Sequence, residues 1–144
     1  MDQVKIKLIP VENELRGKRV VLVDDSIVRG TTCARIVSLI RNAGASEIHM
    51  RISSPPFLHP CYYGTDIDSC DNLIACNYTI LEITRKIGAD SLGYLPLNNL
   101  KELCGGTGYC SACFSGEYPT QIPQDTRKDQ FEQKLSSGKG KQKV

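Results

Sequence analysis

Three observations predict an α/β fold built on a parallel sheet. Residues 20–23, VVLV, form a short apolar run rich in β-branched side chains, the pattern of a strand buried on both faces. A loop of hydroxyl-bearing and glycine residues follows, and a helical pattern begins at Thr32. Residues 46–53, SEIHMRIS, then alternate apolar and polar side chains, so strand, helix and strand make a right-handed βαβ crossover. The 144 residues suffice for one domain with a sizeable core.

Residues 4–9, VKIKLI, set Val4, Ile6 and Leu8 on one face and lysines on the other, as a half-buried or edge strand does. Residues 10–18 are a charged connector, and residues 20–23 are expected to be the central strand. The next helix carries one buried stripe: Cys33, Ile36, Val37, Ile40 and Gly44. Thr31 or Thr32 can cap its start and Gly44 can end it, and Cys33 reads as a small core residue. In the second strand Ile48, Met50 and Ile52 share a face. His49 lies opposite them and is not expected to be a ligand. Residues 54–56, Ser-Pro-Pro, stop that strand. Residues 57–71 are irregular, and His59 reads as a solvated loop histidine. Residues 73–76 are apolar and fit helix or strand equally. Thr79 opens a helix with Ile80, Ile83 and Ile87 on its apolar face and Glu82 at the capping-box position; Gly88 closes it. A short strand at 91–95 and a helix at 97–103 precede a cysteine- and glycine-rich stretch at 104–119. The domain is expected to span residues 1–123. Residues 124–144 read as a flexible basic tail, with four lysines and no acid from residue 133 onward.

The chemistry collects after the first βα strand. Asp24 and Asp25 close that strand, and Ser26, Ile27, Val28, Arg29, Gly30, Thr31 and Thr32 lead into the helix. Ligands of open α/β sheets bind just beyond the carboxyl ends of the strands. A helix start offers unpaired N–H groups and a positive dipole end to a phosphate. Gly30 allows close backbone approach, and the hydroxyls of Ser26, Thr31 and Thr32 add donors. Arg29 either neutralises phosphate charge or is a solvated loop arginine. The acidic pair repels a phosphate, so it suits the other end of the same ligand, holding sugar hydroxyls or Mg²⁺. An isolated Asp-Asp-Ser would be a solvated strand end; the whole layout is that of a site for a phosphorylated sugar.

The chain has seven cysteines, and clustered thiols suggest metal or redox chemistry. Cys110 and Cys113 form CxxC, with Cys61 a suitable third donor. Zinc half-site, iron–sulfur half-site and redox pair all fit that spacing. Cys70, Cys76 and Cys104 are further candidates, each read first as an ordinary buried or exposed thiol. Net charge is +2 with no interleaving of basic and aromatic residues, so no nucleic-acid surface is expected. No apolar stretch has the length of a membrane span, and the start, MDQVKIKL, has no signal-peptide core; the expected location is cytoplasmic.

VVLVDDSIVRGTT resembles the phosphoribosyl pyrophosphate (PRPP) motif of type I phosphoribosyltransferases. HMRISSPPFLHPCYYG, ITRKIGADSLGYLPL and CSACFSGEYP follow in colinear order. Over residues 5–123 the chain resembles the carboxyl-terminal part of the glutamine PRPP amidotransferase family. The resemblance implies a partial type I phosphoribosyltransferase-like parallel sheet flanked by helices, with a cysteine-rich carboxyl-terminal segment. It implies formation of 5-phosphoribosylamine from PRPP and glutamine-derived ammonia, the first committed step of purine synthesis. PRPP would lie on Asp24, Asp25, Ser26, Ile27, Val28, Arg29, Gly30, Thr31 and Thr32, with Mg²⁺ on Asp24 and Asp25. Some members carry a [4Fe–4S] cluster, and Cys61, Cys110 and Cys113 match three of its ligands; Cys104 or another chain would supply the fourth. The family's glutaminase nucleophile is an amino-terminal cysteine where this chain has Asp2, and the family's pyrophosphate loop lies upstream of Met1. The resemblance therefore implies a fragment that is inactive alone: a truncated gene, a partial gene model, or a split subunit partnered by the amino-terminal part as a separate chain; the full-length family is homo-oligomeric. A non-enzymatic PRPP-binding regulator and an inactive remnant are the rival readings.

Overall fold

The computed structural model describes residues 9–67, 69–106 and 108–122. The expected strand at 4–9, Ile9 apart, and the expected basic tail lie outside them. The chain runs α1 (Glu12–Leu15), β1 (Arg19–Asp24), α2 (Thr31–Asn42), β2 (Glu47–Ile52), a 3-10 turn (Cys70–Asn72), α3 (Ile74–Asn77), α4 (Ile80–Ile87), β3 (Ser91–Tyr94), α5 (Leu97–Leu103) and α6 (Ala112–Ser115).

The three strands pair in parallel in the order β1-β2-β3, with Asp24 beside Ile52 and Ile52 beside Tyr94. All carboxyl ends thus open at one edge. The alternation in β2 sends Ile48, Met50 and Ile52 into the core at 0%, 0% and 3% exposure, where they meet Cys33 and Val37 of α2 and Ile83 and Ile87 of α4. The opposite face is polar. Glu47 binds Arg19 at 2.7 Å and His49 at 2.9 Å, and the other His49 ring nitrogen meets Ser91 Oγ at 2.9 Å. With both ring nitrogens engaged inside this network, His49 is structural, in line with its position opposite the apolar residues.

Two expectations about β1 need correction. Among the described residues β2, not residues 20–23, is the central strand, and β1 is not buried on both faces there: Val21 and Val23 are 63% and 68% exposed. Val20 and Leu22 turn toward the core, while among the described residues β1 pairs on one side only and its outer valines meet no covering helix. An apolar run reports that a strand can be covered twice and says nothing of which element does so.

Helix α4 has the expected capping box. Thr79 Oγ1 accepts the Glu82 N–H at 3.4 Å, and Glu82 Oε2 accepts the Thr79 N–H at 2.8 Å. Gly88 ends the helix at φ 75°, a conformation favouring glycine. Its buried residues are Ile83, Thr84 and Ile87; Ile80, the first residue of the helix, is 53% exposed. Thr79→Ala should lower stability by about 1 kcal/mol, read from the urea midpoint, by leaving first-turn N–H groups without their cap.

Asp90 ties α2 to the sheet. Its Oδ2 accepts the Ile48 N–H and an Arg41 guanidinium N–H, both at 2.6 Å. These two donors, the backbone one foremost, hold its carboxyl below the usual range. A depressed carboxyl contributes stability above its unfolded pKa, about 4, and loses it as pH falls through the folded value. Denaturation midpoints should therefore drop more steeply below about pH 4 for the native chain than for Asp90→Asn.

A second, smaller core joins Phe57, Ile67 and Leu73, with Val28, Cys61, Cys113 and Phe114 packed on it. The ambiguous stretch at 73–76 resolves as helix, with Leu73 fully buried just before α3 and Ile74 buried within it.

Candidate functional site

Asp24 is the last residue of β1, and the loop that follows reaches α2 in six residues. Its middle is anchored by apolar contacts. Ile27, 2% exposed, enters the main core, so only its backbone can face a ligand. Val28 packs on the smaller core, and its carbonyl accepts the Ile74 N–H at 2.9 Å. Gly30 turns the chain at φ 79° and lies so close to α3 that a Cβ there would sit 2.7 Å from Ile74 Cδ1.

Gly30, not Thr31 or Thr32, is the cap residue of α2. No side chain caps this helix, and the two threonines are its first residues. The left-handed glycine closes the loop by backbone geometry alone. The early N–H groups of the helix, which lack intrahelical acceptors, stay available to an anion. Asp24, Asp25, Ser26, Gly30, Thr31 and Thr32 line one open pocket of about 470 Å³, with Arg29 and Cys33 also on its wall. The predicted site residues are therefore together: both carboxylates and the start of α2 line the same pocket.

Hydrogen bonds orient both carboxylates. Asp24 Oδ1 accepts the Asp25 N–H at 3.0 Å, and Asp25 Oδ1 accepts the Ser26 hydroxyl at 3.0 Å. Cys33, 3% exposed and in the core as expected, also donates its S–H to Asp24 Oδ2 at 3.7 Å. Burial, the Asp24 charge and that bond push its thiol up to about 11, so it remains a donor. This link was missed in the sequence, where Cys33 simply fills an apolar stripe. Asp66 also lines the pocket, from the irregular loop; no periodicity or motif marks it. Two adjacent carboxylates fit the donor set of Mg²⁺, which takes one or two carboxylates and completes its shell with water and substrate phosphates.

The cysteine-rich segment folds back on the loop that carries Cys61. The Leu58 and His59 N–H groups both donate to the Cys113 carbonyl at 3.0 Å, and Tyr118 Oη donates to the Pro60 carbonyl at 2.7 Å. Phe57 stacks on Phe114 at 4.9 Å, and Tyr62 meets Tyr118 edge-on at 5.3 Å. His59 is not a solvated histidine: its ring lies half-buried against Gly116, where an added Cβ would approach Nε2 to 2.9 Å. Cys61 and Cys113 share the smaller core. Burial opposes ionisation of Cys61, but hydrogen bonds from the backbone of Gly64, Tyr63 and Thr65 outweigh it and lower the thiol to about 7. Burial, then the neighbouring Cys61 and Cys110, raise Cys113. Cys61 and Cys113 thus lie on one small core, and the three thiols suit a thiolate-bound group in donor chemistry. Among the described residues no three His, Cys, Asp or Glu side chains converge on one metal position.

The phosphoribosyl transferase domain family matches residues 1–85. The chain is 51% identical over 131 residues to an amidophosphoribosyltransferase of Synechocystis sp., covering 89% of this chain and 26% of that protein. It is 56% identical over 120 residues to a chloroplastic amidophosphoribosyltransferase of Vigna aconitifolia, covering 82% and 25%. The structure of a glutamine PRPP amidotransferase from B. subtilis, complexed with ADP and GMP, superposes with a TM-score of 0.72 at 50% identity, covering 81% of this chain and 27% of that one. The chain spans about a quarter of the length of the curated relatives it matches. No helix among the described residues is long and apolar enough to cross a membrane.

Proposed function

Because the chain belongs to the phosphoribosyl transferase domain family, we propose that it is the phosphoribosyl-binding part of an amidophosphoribosyltransferase, acting on PRPP in purine synthesis in the cytoplasm. The observation that carries this reading is the single pocket shared by Asp24, Asp25 and the uncapped start of α2.

The 5-phosphate lies on the loop from Ser26 to Gly30 and on the first turn of α2, held by backbone N–H groups and by the hydroxyls of Ser26, Thr31 and Thr32. Asp24 and Asp25 accept from the ribose hydroxyls, directly or through Mg²⁺. Bound Mg²⁺ would offset the charge of the pyrophosphate as it leaves. As ammonia attacks the anomeric carbon the ribose gains positive character, and two oriented carboxylates beside it favour that charge. Cys33 keeps Asp24 pointed into the pocket. Cys61, Cys110 and Cys113 would hold an iron–sulfur cluster with a fourth ligand from Cys104 or from another chain. Its contribution there is structural, added to the aromatic packing that already pins the segment.

The remainder of the enzyme docks on the open side of β1, where Val21 and Val23 present apolar surface beside a strand edge that is unpaired among the described residues. Relatives four times as long support that reading, and a homo-oligomer of the complete enzyme is part of it. Calorimetric titration of the 144-residue chain with PRPP and Mg²⁺ tests the site. Binding that ribose 5-phosphate competes away is expected, and no binding would refute the assignment. The same chain should release no phosphoribosylamine when given glutamine; robust glutamine-dependent turnover would overturn the fragment reading.

A further inference from the structure

Two thiols outside the PRPP pocket meet on one acceptor. Cys70 opens the 3-10 turn Cys70–Asn72, and Cys76 lies in α3. Both Sγ atoms donate to the carbonyl of Leu58, each at 3.2 Å. Both residues are exposed, so a small oxidant can reach them. The segment between them is already folded into a tight ring. The Asn77 side-chain amide donates to the carbonyls of Cys70 and Asp71 at 3.2 Å and of Leu73 at 2.9 Å. Burial, and then the hydrogen bond with Cys70, push the Cys76 thiol up to about 11.

What the ring supports makes its chemistry consequential. Ile74, inside it, donates its N–H to the Val28 carbonyl and packs Cδ1 against Gly30. The segment is thus the rear wall of the loop between β1 and α2.

We propose that Cys70 and Cys76 form a redox pair that closes to an intrachain disulfide in the presence of a small-molecule disulfide, and that the bridge stiffens the wall behind the phosphate loop. One cysteine, as thiolate, attacks a sulfur of oxidised glutathione, giving a mixed disulfide and releasing one glutathione thiolate, which takes up a proton. The second cysteine loses its proton and attacks the protein sulfur of that mixed disulfide. The Cys70–Cys76 bond forms, and a second glutathione leaves as thiol. Two protein thiols are oxidised and one glutathione disulfide is reduced to two thiols. The bridge itself needs no assumption about the ligand; its bearing on phosphate binding rests on the function proposed above.

The test uses the full 144-residue chain, equilibrated with oxidised and reduced glutathione at graded ratios and quenched in acid. Peptide mapping by mass spectrometry should show Cys70 linked to Cys76, with no protein disulfide joining any of the other five of the seven cysteines. With Cys70→Ser, Cys76 should end as a glutathione adduct or as a free thiol. Hydrogen exchange over residues 70–78 should slow roughly threefold on oxidation, because the bridge removes open states of the ring. Preferred pairing of either residue with Cys61, Cys110 or Cys113 would overturn the pair, as would glutathione adducts that never resolve in the native chain. A bridge that leaves exchange unchanged would overturn the stiffening of the wall. PRPP titration of the reduced chain is a separate readout, so its failure would count against the proposed function and not against the bridge.

Discussion

Replacing Asp24 and Asp25 together by asparagine should weaken Mg²⁺-dependent PRPP binding by roughly 100-fold, about 2.7 kcal/mol, with little loss of stability. Asp24 ends β1 and Asp25 follows it; their carboxylates orient by local bonds, and their one core contact is the Cys33 S–H on Asp24. Asparagine keeps the shape and one acceptor oxygen but removes the charge that sugar hydroxyls and a divalent cation use. The single variants separate two contributions. Asp25→Asn retains an oxygen for the Ser26 hydroxyl and reports the lost charge alone. Asp24→Asn also disturbs the Cys33 S–H bond, so the Cys33 thiol should move back down from about 11 as the Asp24 charge and hydrogen bond are lost. Calorimetry at fixed Mg²⁺ measures the first effect, and pH-dependent alkylation of Cys33 in partly denatured chain against native chain follows the second. Unchanged PRPP binding in the double variant would mean that the acidic pair is only a solvated strand end.

The elements legible in the sequence are those written in short-range patterns. The alternation of residues 48, 50 and 52 places β2, and the Thr79–Glu82 pair marks the start of α4 to the residue. The chemistry of residues 24–32 is also local, because the acidic pair, the hydroxyls and the glycine are contiguous and the sheet edge brings them to one pocket. What stayed hidden depends on contacts across the chain. Which strand is central is decided by pairing, so residues 20–23 look central by composition while β2 takes that place. Asp66 reaches the pocket through an irregular loop, and irregular loops have no period to read. His59 looks solvated in its Leu-His-Pro-Cys context because the glycine it packs on, Gly116, lies 57 positions away. Thr31 and Thr32 look like helix caps until the backbone of Gly30 shows that the cap is conformational. Cys70 and Cys76 read as unremarkable thiols because their common partner, the Leu58 carbonyl, is a backbone atom that no side-chain pattern announces.

Gly30→Ala should destabilise the chain by about 2 kcal/mol and reduce PRPP affinity roughly tenfold, and the two causes can be separated by a second substitution. One cause is conformational: φ is 79°, and an alanine held there costs about 1 kcal/mol relative to glycine whatever surrounds it. The other is steric: the new Cβ would lie 2.7 Å from Ile74 Cδ1. Cδ1 is the end of a flexible side chain, but Ile74 is 8% exposed and packed in the main core, so it yields only by losing contacts there, again about 1 kcal/mol. Ile74→Val removes Cδ1 and leaves the backbone hydrogen bond to Val28 in place. Alone it should cost about 1 kcal/mol, as shortening a buried isoleucine does. In its presence the Gly30→Ala penalty should fall to the conformational part, giving a coupling energy of about 1 kcal/mol in a double-mutant cycle read from urea midpoints. PRPP affinity should recover only in part, because the strained φ still displaces the N–H groups at the start of α2. Strict additivity of the two substitutions would show that α3 does not press on the loop, and would remove the mechanical link between that wall and the phosphate site.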